Sequence, residues 1–323
     1  MIAEGRYRMS IAGYIRESMT RSSWIRKMFE EGLKLKARYG EENVFDFSIG
    51  NPDLDPPEEF FKAMRKFSGE QVKGAHGYMP NAGFPDVREA IAARVAMEHG
   101  VEMHAGHVVM TCGAAGGLNT VLKTLLNPGE EVVVSRPYFM EYAFYVANHN
   151  GLLIPADTRP DFSLDMDAIR GAINEKTKAV LINSPNNPTG RVYPEEQIRE
   201  LADILLEFRS RGQTIYLISD EPYREIIYDG VHVAIILAIY PHSIVVNSYS
   251  KSLSIPGERI GYIAVNPSCD GRDELLAGLV LCNRILGFVN APALMQRIVA
   301  ELSNVTVDIT PYRERRELLA MGL

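Results

Sequence analysis

Several short segments of this chain are apolar from end to end instead of alternating apolar and polar residues. A strand with one face in solvent alternates, whereas a short, continuous apolar run is typical of a strand covered on both faces. Helical patterns separate these runs, as at 85–99 and 194–211. The alternation predicts an α/β fold with a mostly parallel central sheet covered by helices. The predicted strands are 108–111, 131–135, 179–183, 214–219, 243–247 and 260–265.

Capping residues predict where the first helix lies. Ser22 and Ser23 can cap a helix that runs from Trp24 to about Tyr39, where Gly40 would end it. A further short strand is predicted at 45–49, before a turn at 50–53.

The composition is that of an ordinary globular protein of 323 residues, long enough for two domains. A net charge of −7 and the lack of a dense lysine and arginine cluster argue against a nucleic-acid surface. Three widely spaced cysteines form no metal or disulfide pattern, and the longest apolar run, 233–240, is too short to span a bilayer. We expect a cytoplasmic enzyme with no nucleic-acid, membrane or metal partner.

Glycine-rich and polar motifs follow the predicted strands, which is where parallel sheets bind ligands. Gly113, Ala114 and Ala115 come directly after a strand and open a helix, so backbone N–H groups and the helix dipole can face an anion. Small residues are also common where a helix packs closely on a sheet, and the stretch lacks the lysine of a P-loop. This motif alone leaves phosphate binding and close packing both open.

Lys251 lies among hydroxyl residues after a predicted buried strand, and Arg259 follows eight positions later. The arrangement suits an amine held as a Schiff base beside a phosphate anion, with Ser248 and Ser250 as further donors. Asp220 follows another strand, where a carboxylate can pair with a pyridinium nitrogen. Taken singly, Lys251 is typical of an exposed lysine and Asp220 of a cap or turn. Their common setting favours one cofactor site.

Two further residues complete the pattern. Asn187 precedes Pro-Thr-Gly, which alone is typical of a turn, and Tyr223 stands three positions after Asp220. With Lys251 and its neighbours, these residues give the chain a resemblance to the class I and II pyridoxal-phosphate-dependent aminotransferases, the aspartate aminotransferase-like proteins of fold type I. The resemblance runs from about Ser22 to the last residue.

The resemblance implies pyridoxal 5′-phosphate as cofactor and transfer of the amino group of an L-amino acid to a 2-oxo acid such as 2-oxoglutarate. Lys251 would hold the cofactor and move the substrate proton, and Asp220 would keep the ring nitrogen protonated. Asn187 and Tyr223 would bind the phenolic oxygen. The residues implied for the phosphate are Gly113, Ala114, Ala115, Ser248, Ser250 and Arg259.

The resemblance also implies contacts at the ring face and across a subunit boundary. Phe139 would lie on the ring, with Tyr138 as the alternative. Tyr78 would reach the phosphate of a partner subunit, which implies a homodimer with shared active sites. The residues expected to approach the substrate are Gly50, Asn51 and Asn187.

A domain division follows from the same resemblance. Residues 1–50 would belong with a small domain, 51–302 would form the large cofactor-binding domain, and 303–323 would begin a helix leading into a C-terminal domain. Because the chain stops at Leu323, we expect this small domain to be largely missing. In the family, that domain carries the arginine that binds the substrate carboxylate, so we expect transamination to be slow. Two alternatives share every motif above: a C–S β-lyase or aminocyclopropane-carboxylate-synthase-like lyase, and an inactive truncated homologue.

Overall fold

The computed structural model describes residues 11–46, 50–70 and 72–322, in two compact units, Met1–Pro52 and Asp53–Leu323. Helix α1 (Gly13–Tyr39) lies in the first unit and ends before Gly40, as expected. Its start is eleven residues earlier than the predicted Trp24, because no glycine or proline interrupts 14–31 and a mid-helix serine pair need not cap. Residues 47–49 of the short strand predicted at 45–49 lie outside the described residues. The assignments of 1–50 to a small domain and of 303–323 to an interdomain helix stay predictions.

A seven-stranded sheet forms the centre of the second unit, in the order β1-β7-β6-β5-β4-β2-β3. Neighbours run parallel except at β7, which is antiparallel to both β1 and β6. The predicted mostly parallel sheet is confirmed. Its strands are β1 (Val108–Thr111), β2 (Glu131–Arg136), β3 (Leu152–Asp157), β4 (Thr177–Asn183), β5 (Tyr216–Asp220), β6 (Ser243–Ser248) and β7 (Gly261–Val265).

Helices cover both faces of this sheet. Consecutive residues of one strand pack into different apolar clusters: Val245 lies with residues of α3, and Val246 lies with residues of α4. This two-sided burial is why the strands are apolar throughout. The helices of the second unit are α2 (Glu58–Gly69), α3 (Pro85–His99), α4 (Gly113–Leu125), α5 (Glu141–Ala147), α6 (Met166–Ala172), α7 (Glu195–Ser210), α8 (Ile236–Ile239), α9 (Arg272–Ile285), α10 (Ala293–Glu301) and α11 (Thr310–Gly322).

The reversal of β7 brings the functional motifs to one edge of the sheet. The carboxyl ends of β1 and β6 lie beside the first residue of β7, since Thr111 and Ser248 both pair with Gly261. The ends of β4 and β5 continue the same edge, with Asn183 paired to Asp220. Residues that follow β1, β4, β5 and β6, and those that precede β7, therefore share one rim.

Candidate active site

Asp220 is the last residue of β5 and only 5% exposed. Its Oδ2 accepts a hydrogen bond of 2.6 Å from the Tyr142 hydroxyl, and its backbone oxygen accepts one of 2.8 Å from Asn183 Nδ2. The other carboxylate oxygen, Oδ1, is buried and has no hydrogen-bond partner among the described residues. A buried acceptor without a donor is costly, so Oδ1 marks a position that suits a donor or cation.

The ionisation of Asp220 reflects this setting. Burial raises its pKa to about 7, the Tyr142 hydrogen bond acts in the opposite direction, and the neighbouring Glu221 charge adds to the rise. A cation beside Oδ1 would favour the carboxylate and bring the pKa down again. The arrangement therefore suits a protonated ring nitrogen as partner.

Asn187 and Tyr223 meet at the same rim. The Asn187 backbone N–H donates to Asn183 Oδ1 at 2.6 Å, and its side-chain Nδ2 donates to the Tyr223 hydroxyl at 3.3 Å. Burial raises the pKa of Tyr223, as does the charge of Asp220, while the Asn187 bond lowers it. Tyr223 therefore stays a neutral phenol that can donate a proton to an anionic oxygen.

Lys251 lies just beyond the end of β6, half-buried. Its Nζ is 5.9 Å from the centre of the Tyr223 ring. Burial lowers the pKa of this amine, which favours the neutral, nucleophilic form. The structure thus brings Lys251, Tyr223 and Asn187 together.

Backbone geometry shapes the rim at the start of α4. Gly113 has a φ of 71°, and a Cβ on it would lie 3.2 Å from Arg259 Nη2, so the guanidinium lies close to the helix N-terminus. Arg259 is exposed, and its Nη1 donates to the Pro256 carbonyl at 3.0 Å. A Cβ on Gly261 would collide with the Asn247 carbonyl oxygen. Helix N–H groups beside a guanidinium form an arrangement that suits a phosphate.

The remaining predicted cofactor contacts occupy different environments. Ser248 is buried at the end of β6, and Ser250, Ala114 and Ala115 are half-buried near it or in the first turn of α4. Phe139 is half-buried, with its ring edge-on to Tyr142 at 5.5 Å between centroids. Their roles toward the cofactor stay predictions.

Three further predicted residues are exposed. Tyr78 is 94% exposed. Gly50 and Asn51 belong to the first compact unit and are exposed there. Their assignments to a partner's phosphate and to the substrate stay predictions.

Sequence reasoning missed Tyr142 and Asn183, which hold Asp220 in place. Asn183 ends the strand β4 directly after four apolar residues, and a polar residue there was a usable signal. Tyr142 lies one residue into α5, a short helix that the sequence analysis did not predict. Its fully buried hydroxyl could be assigned a partner only after folding.

These residues fit pyridoxal 5′-phosphate. The buried Oδ1 of Asp220 suits the ring nitrogen, and the Asn187–Tyr223 pair suits the phenolic oxygen. The start of α4 with Arg259 suits the phosphate, and Lys251 supplies the amine.

In the described parts of the chain, no helix is long and apolar enough to span a membrane.

Comparison with known proteins decides the family. The family model for aminotransferase class I and II matches residues 42–319 of this chain. The chain belongs to this family. It is a pyridoxal-phosphate-dependent transaminase that acts on amino acids and oxo acids, as the sequence predicted.

Individual proteins of known structure or name are similar to this chain over most of its length. A probable aspartate/prephenate aminotransferase of Thermus aquaticus is 35% identical over 90% of this chain and 74% of its own length. An aspartate aminotransferase of Pyrococcus horikoshii is 33% identical over 94% of this chain and 75% of its own. The crystal structure of an aminotransferase from Eubacterium rectale superposes with a TM-score of 0.93 at 38% identity, over 97% of this chain and 80% of that one.

Proposed function

We propose that this transaminase takes its amino group from aspartate and passes it to 2-oxoglutarate. The proposal for the donor is supported by the relatives from Thermus aquaticus and Pyrococcus horikoshii, whose names specify aspartate. We further propose a cytoplasmic location, which the free state of Cys112, Cys269 and Cys282 supports.

The unpartnered Oδ1 of Asp220 is the observation that carries the site assignment. Oδ2 accepts the Tyr142 hydrogen bond, which fixes the carboxylate. Oδ1 is then the oxygen that is left to accept a hydrogen bond from a ligand. Asp220 in its ionised form holds a proton on the ring nitrogen. When bound, the cofactor supplies an electron sink for the pair released at the substrate Cα.

Lys251 moves the proton in this proposal. Its lowered pKa favours the neutral amine, which would take the proton from the substrate Cα and return it to the cofactor carbon on the other side of the substrate nitrogen. Tyr223 and Asn187, which are joined by a hydrogen bond, would donate to the phenolic oxygen and so orient the ring. Gly50, Asn51 and the Asn187 side chain are proposed to face the substrate.

The phosphate is proposed to bind at the start of α4. Backbone N–H groups of Gly113, Ala114 and Ala115 are among those without a partner inside the helix, and they carry its positive dipole end. Arg259 adds a guanidinium close to Gly113. Hydroxyl groups of Ser248 and Ser250 complete the set, and Phe139 covers the ring.

A homodimer with shared sites is also proposed, through Tyr78. The loop around it is held by its neighbours: Asn290 Nδ2 donates to the Pro80 carbonyl at 3.0 Å, and Gln296 Nε2 lies 3.1 Å from Met79 Sδ. The Tyr78 ring itself is 94% exposed, which supports a role outside its own subunit.

Mixing two inactive variants tests the shared site. Lys251→Ala and Tyr78→Ala proteins, unfolded and refolded together, should regain part of the activity, because each hybrid dimer would contain one intact site. Tyr39→Ala, which removes another exposed tyrosine, is the control and should be active alone. Verified hybrids without activity would place Tyr78 outside the partner's site.

The reaction is tested by following the bound cofactor's visible absorption in a half-reaction with single amino acids. Aspartate should convert the cofactor faster than alanine or phenylalanine, and 2-oxoglutarate should reverse the change. Release of ammonia and pyruvate instead of a new amino acid would establish a lyase. Faster conversion by alanine or phenylalanine would overturn the proposed donor.

A further inference from the structure

A buried arginine lies behind the active-site rim. Arg94 of α3 is only 6% exposed. Its Nε donates to Glu98 Oε1 at 2.6 Å, and its Nη2 pairs with Glu225 Oε1. Glu98 and Glu225 are themselves largely buried. Removing the arginine alone would leave two largely buried carboxylates without this partner.

Glu225 belongs to the loop that carries the predicted ring contacts. It stands two residues after Tyr223, in the segment between the end of β5 and the start of α8. That segment of the described chain contains no helix or strand. Backbone hydrogen bonds hold it locally, as from the Ile226 N–H to the Tyr223 carbonyl at 2.8 Å, and side-chain anchors such as the Arg94–Glu225 pair tie it to α3.

A second anchor binds the beginning of the same loop. Arg224 Nη1 pairs with Glu221 Oε2 at 2.9 Å, and its Nη2 donates to the Glu98 carbonyl at 3.1 Å. His99 Nε2 lies 3.5 Å from the same Glu221 oxygen. Glu221 directly follows Asp220, so the end of α3 contacts the loop from its first residues onward.

The other side of Arg94 faces the turn that carries Lys251. Its guanidinium carbon lies 5.8 Å from the ring centre of Tyr249, two residues before Lys251. Tyr249 is buried, and its ring packs against Tyr262 of β7 at 6.2 Å between centroids. A desolvated guanidinium over an aromatic face is a favourable contact.

We infer that Arg94 is a positioning residue for the transamination site. It joins the loop that carries Tyr223 to the turn that carries Lys251, and thereby sets the spacing between the amine and the phenol ring. The planar guanidinium makes these contacts in fixed directions, which a lysine ammonium cannot reproduce. The inference rests on the proposed roles of Lys251 and Tyr223.

The test separates positioning from stability. The double variant Arg94→Met/Glu225→Gln removes one charge of each sign, and Glu98 keeps the Arg224 guanidinium at 3.9 Å as a cationic neighbour. The matched control is Arg297→Met/Glu70→Gln, which removes a partly buried pair of 2.8 Å between α10 and the end of α2. Both are measured for thermal unfolding, for the dissociation constant of pyridoxal phosphate from the apo-protein, and for the pH midpoint of the bound cofactor's visible band.

We expect the Arg94 double variant to weaken cofactor binding by about tenfold, within the range of coupling between contacting residues, and to shift the pH midpoint. The control should change neither quantity, whatever its unfolding temperature. Arg94→Lys, which keeps the charge, should fold and show the same two changes in smaller measure. It decides the matter by itself if the double variant does not fold.

Unchanged cofactor affinity and pH midpoint in a folded Arg94 variant would overturn the inference, even if its unfolding temperature fell. Wild-type protein that bound the cofactor without a link to Lys251 would contradict the proposed function instead. Failure of the inference would therefore be measured in the Arg94 variants, and failure of the proposed function in the wild-type protein.

Discussion

The two ends of the candidate cofactor site are built in opposite ways. At the ring-nitrogen end, Asp220 is buried, and the two side chains that donate hydrogen bonds to it, Tyr142 and Asn183, are buried as well. At the phosphate end, Arg259 is exposed, and the shape comes from backbone, through the positive φ of Gly113 and the close approach of Gly261.

The two ends should therefore control different properties, the chemistry at one end and cofactor retention at the other. A buried charge interacts strongly with the group beside it, so changes near Asp220 should alter the chemistry. An exposed guanidinium and helix N–H groups interact with a ligand that stays partly solvated, so changes near Arg259 should alter cofactor retention. The following predictions test this division, from the largest expected effect to the smallest.

Replacing Asp220 by Ala should leave some cofactor bound through the phosphate end. Deprotonation of the amino acid should slow by about a hundredfold or more, because a preorganised charge beside the ring is lost. The half-reaction rate measured by stopped-flow absorbance checks this. Asp157→Ala, at the exposed end of β3, should react normally. Near-normal rates in Asp220→Ala would remove the ring-nitrogen role.

The apo-protein should lose stability from Asp220 as the pH rises. Its folded-state pKa of about 7 lies above the ordinary 3.8, so the stabilising protonated form is fully present below pH 4 and is lost through pH 7. Between pH 5 and 8 the loss should be roughly 2–3 kcal/mol. Chemical denaturation of apo wild-type and Asp220→Asn at both pH values checks this. Equal pH dependence of the two proteins would contradict the buried-carboxyl account.

Replacing Arg259 by Gln should weaken cofactor binding by about tenfold or more, because charge-assisted hydrogen bonds to the phosphate are lost. The half-reaction of the cofactor-saturated protein should change far less. Equilibrium titration of the apo-protein gives the affinity, with the exposed Arg199→Gln as control. A large loss of rate at saturation would mean that the phosphate end also controls the chemistry.

Tyr142→Phe should produce the smallest effect. Loss of the 2.6 Å hydrogen bond removes an influence that lowers the pKa of Asp220, so that pKa should rise further, by about one unit. The half-reaction should slow several-fold and less than in Asp220→Ala. Tyr145→Phe, on the same helix, is the control. A pKa of Asp220 that did not move, followed through its titration in the apo-protein, would show that Tyr142 has no influence on this carboxyl.

The sequence predicted best the elements whose signals are local. Strand β1 and helix α3 have the predicted bounds, and Gly100, whose backbone is left-handed, follows the last residue of α3. Strand β3 was missed, because it lies at the sheet edge, half-exposed, and contains Pro155. The reversal of β7 depends on tertiary pairing with β1 and β6, which no local pattern encodes.

The candidate site shows the same limit. The sequence placed Asn187, Tyr223 and Lys251 in one site, and they lie together. Tyr142 and Arg94 were not predicted, because each acts through a residue distant in the chain, Asp220 or Glu225. A buried tyrosine or arginine gives no sign in the sequence of which loop it holds.

The rim residues are proposed to form one pyridoxal-phosphate site with Lys251 as the attachment point. Borohydride reduction of the cofactor-loaded protein, followed by peptide mapping, identifies the lysine that carries the cofactor. We expect a single labelled peptide that contains Lys251, and no covalent label in Lys251→Ala even when it binds cofactor. Label on another lysine, or none in protein shown to be loaded, would contradict it.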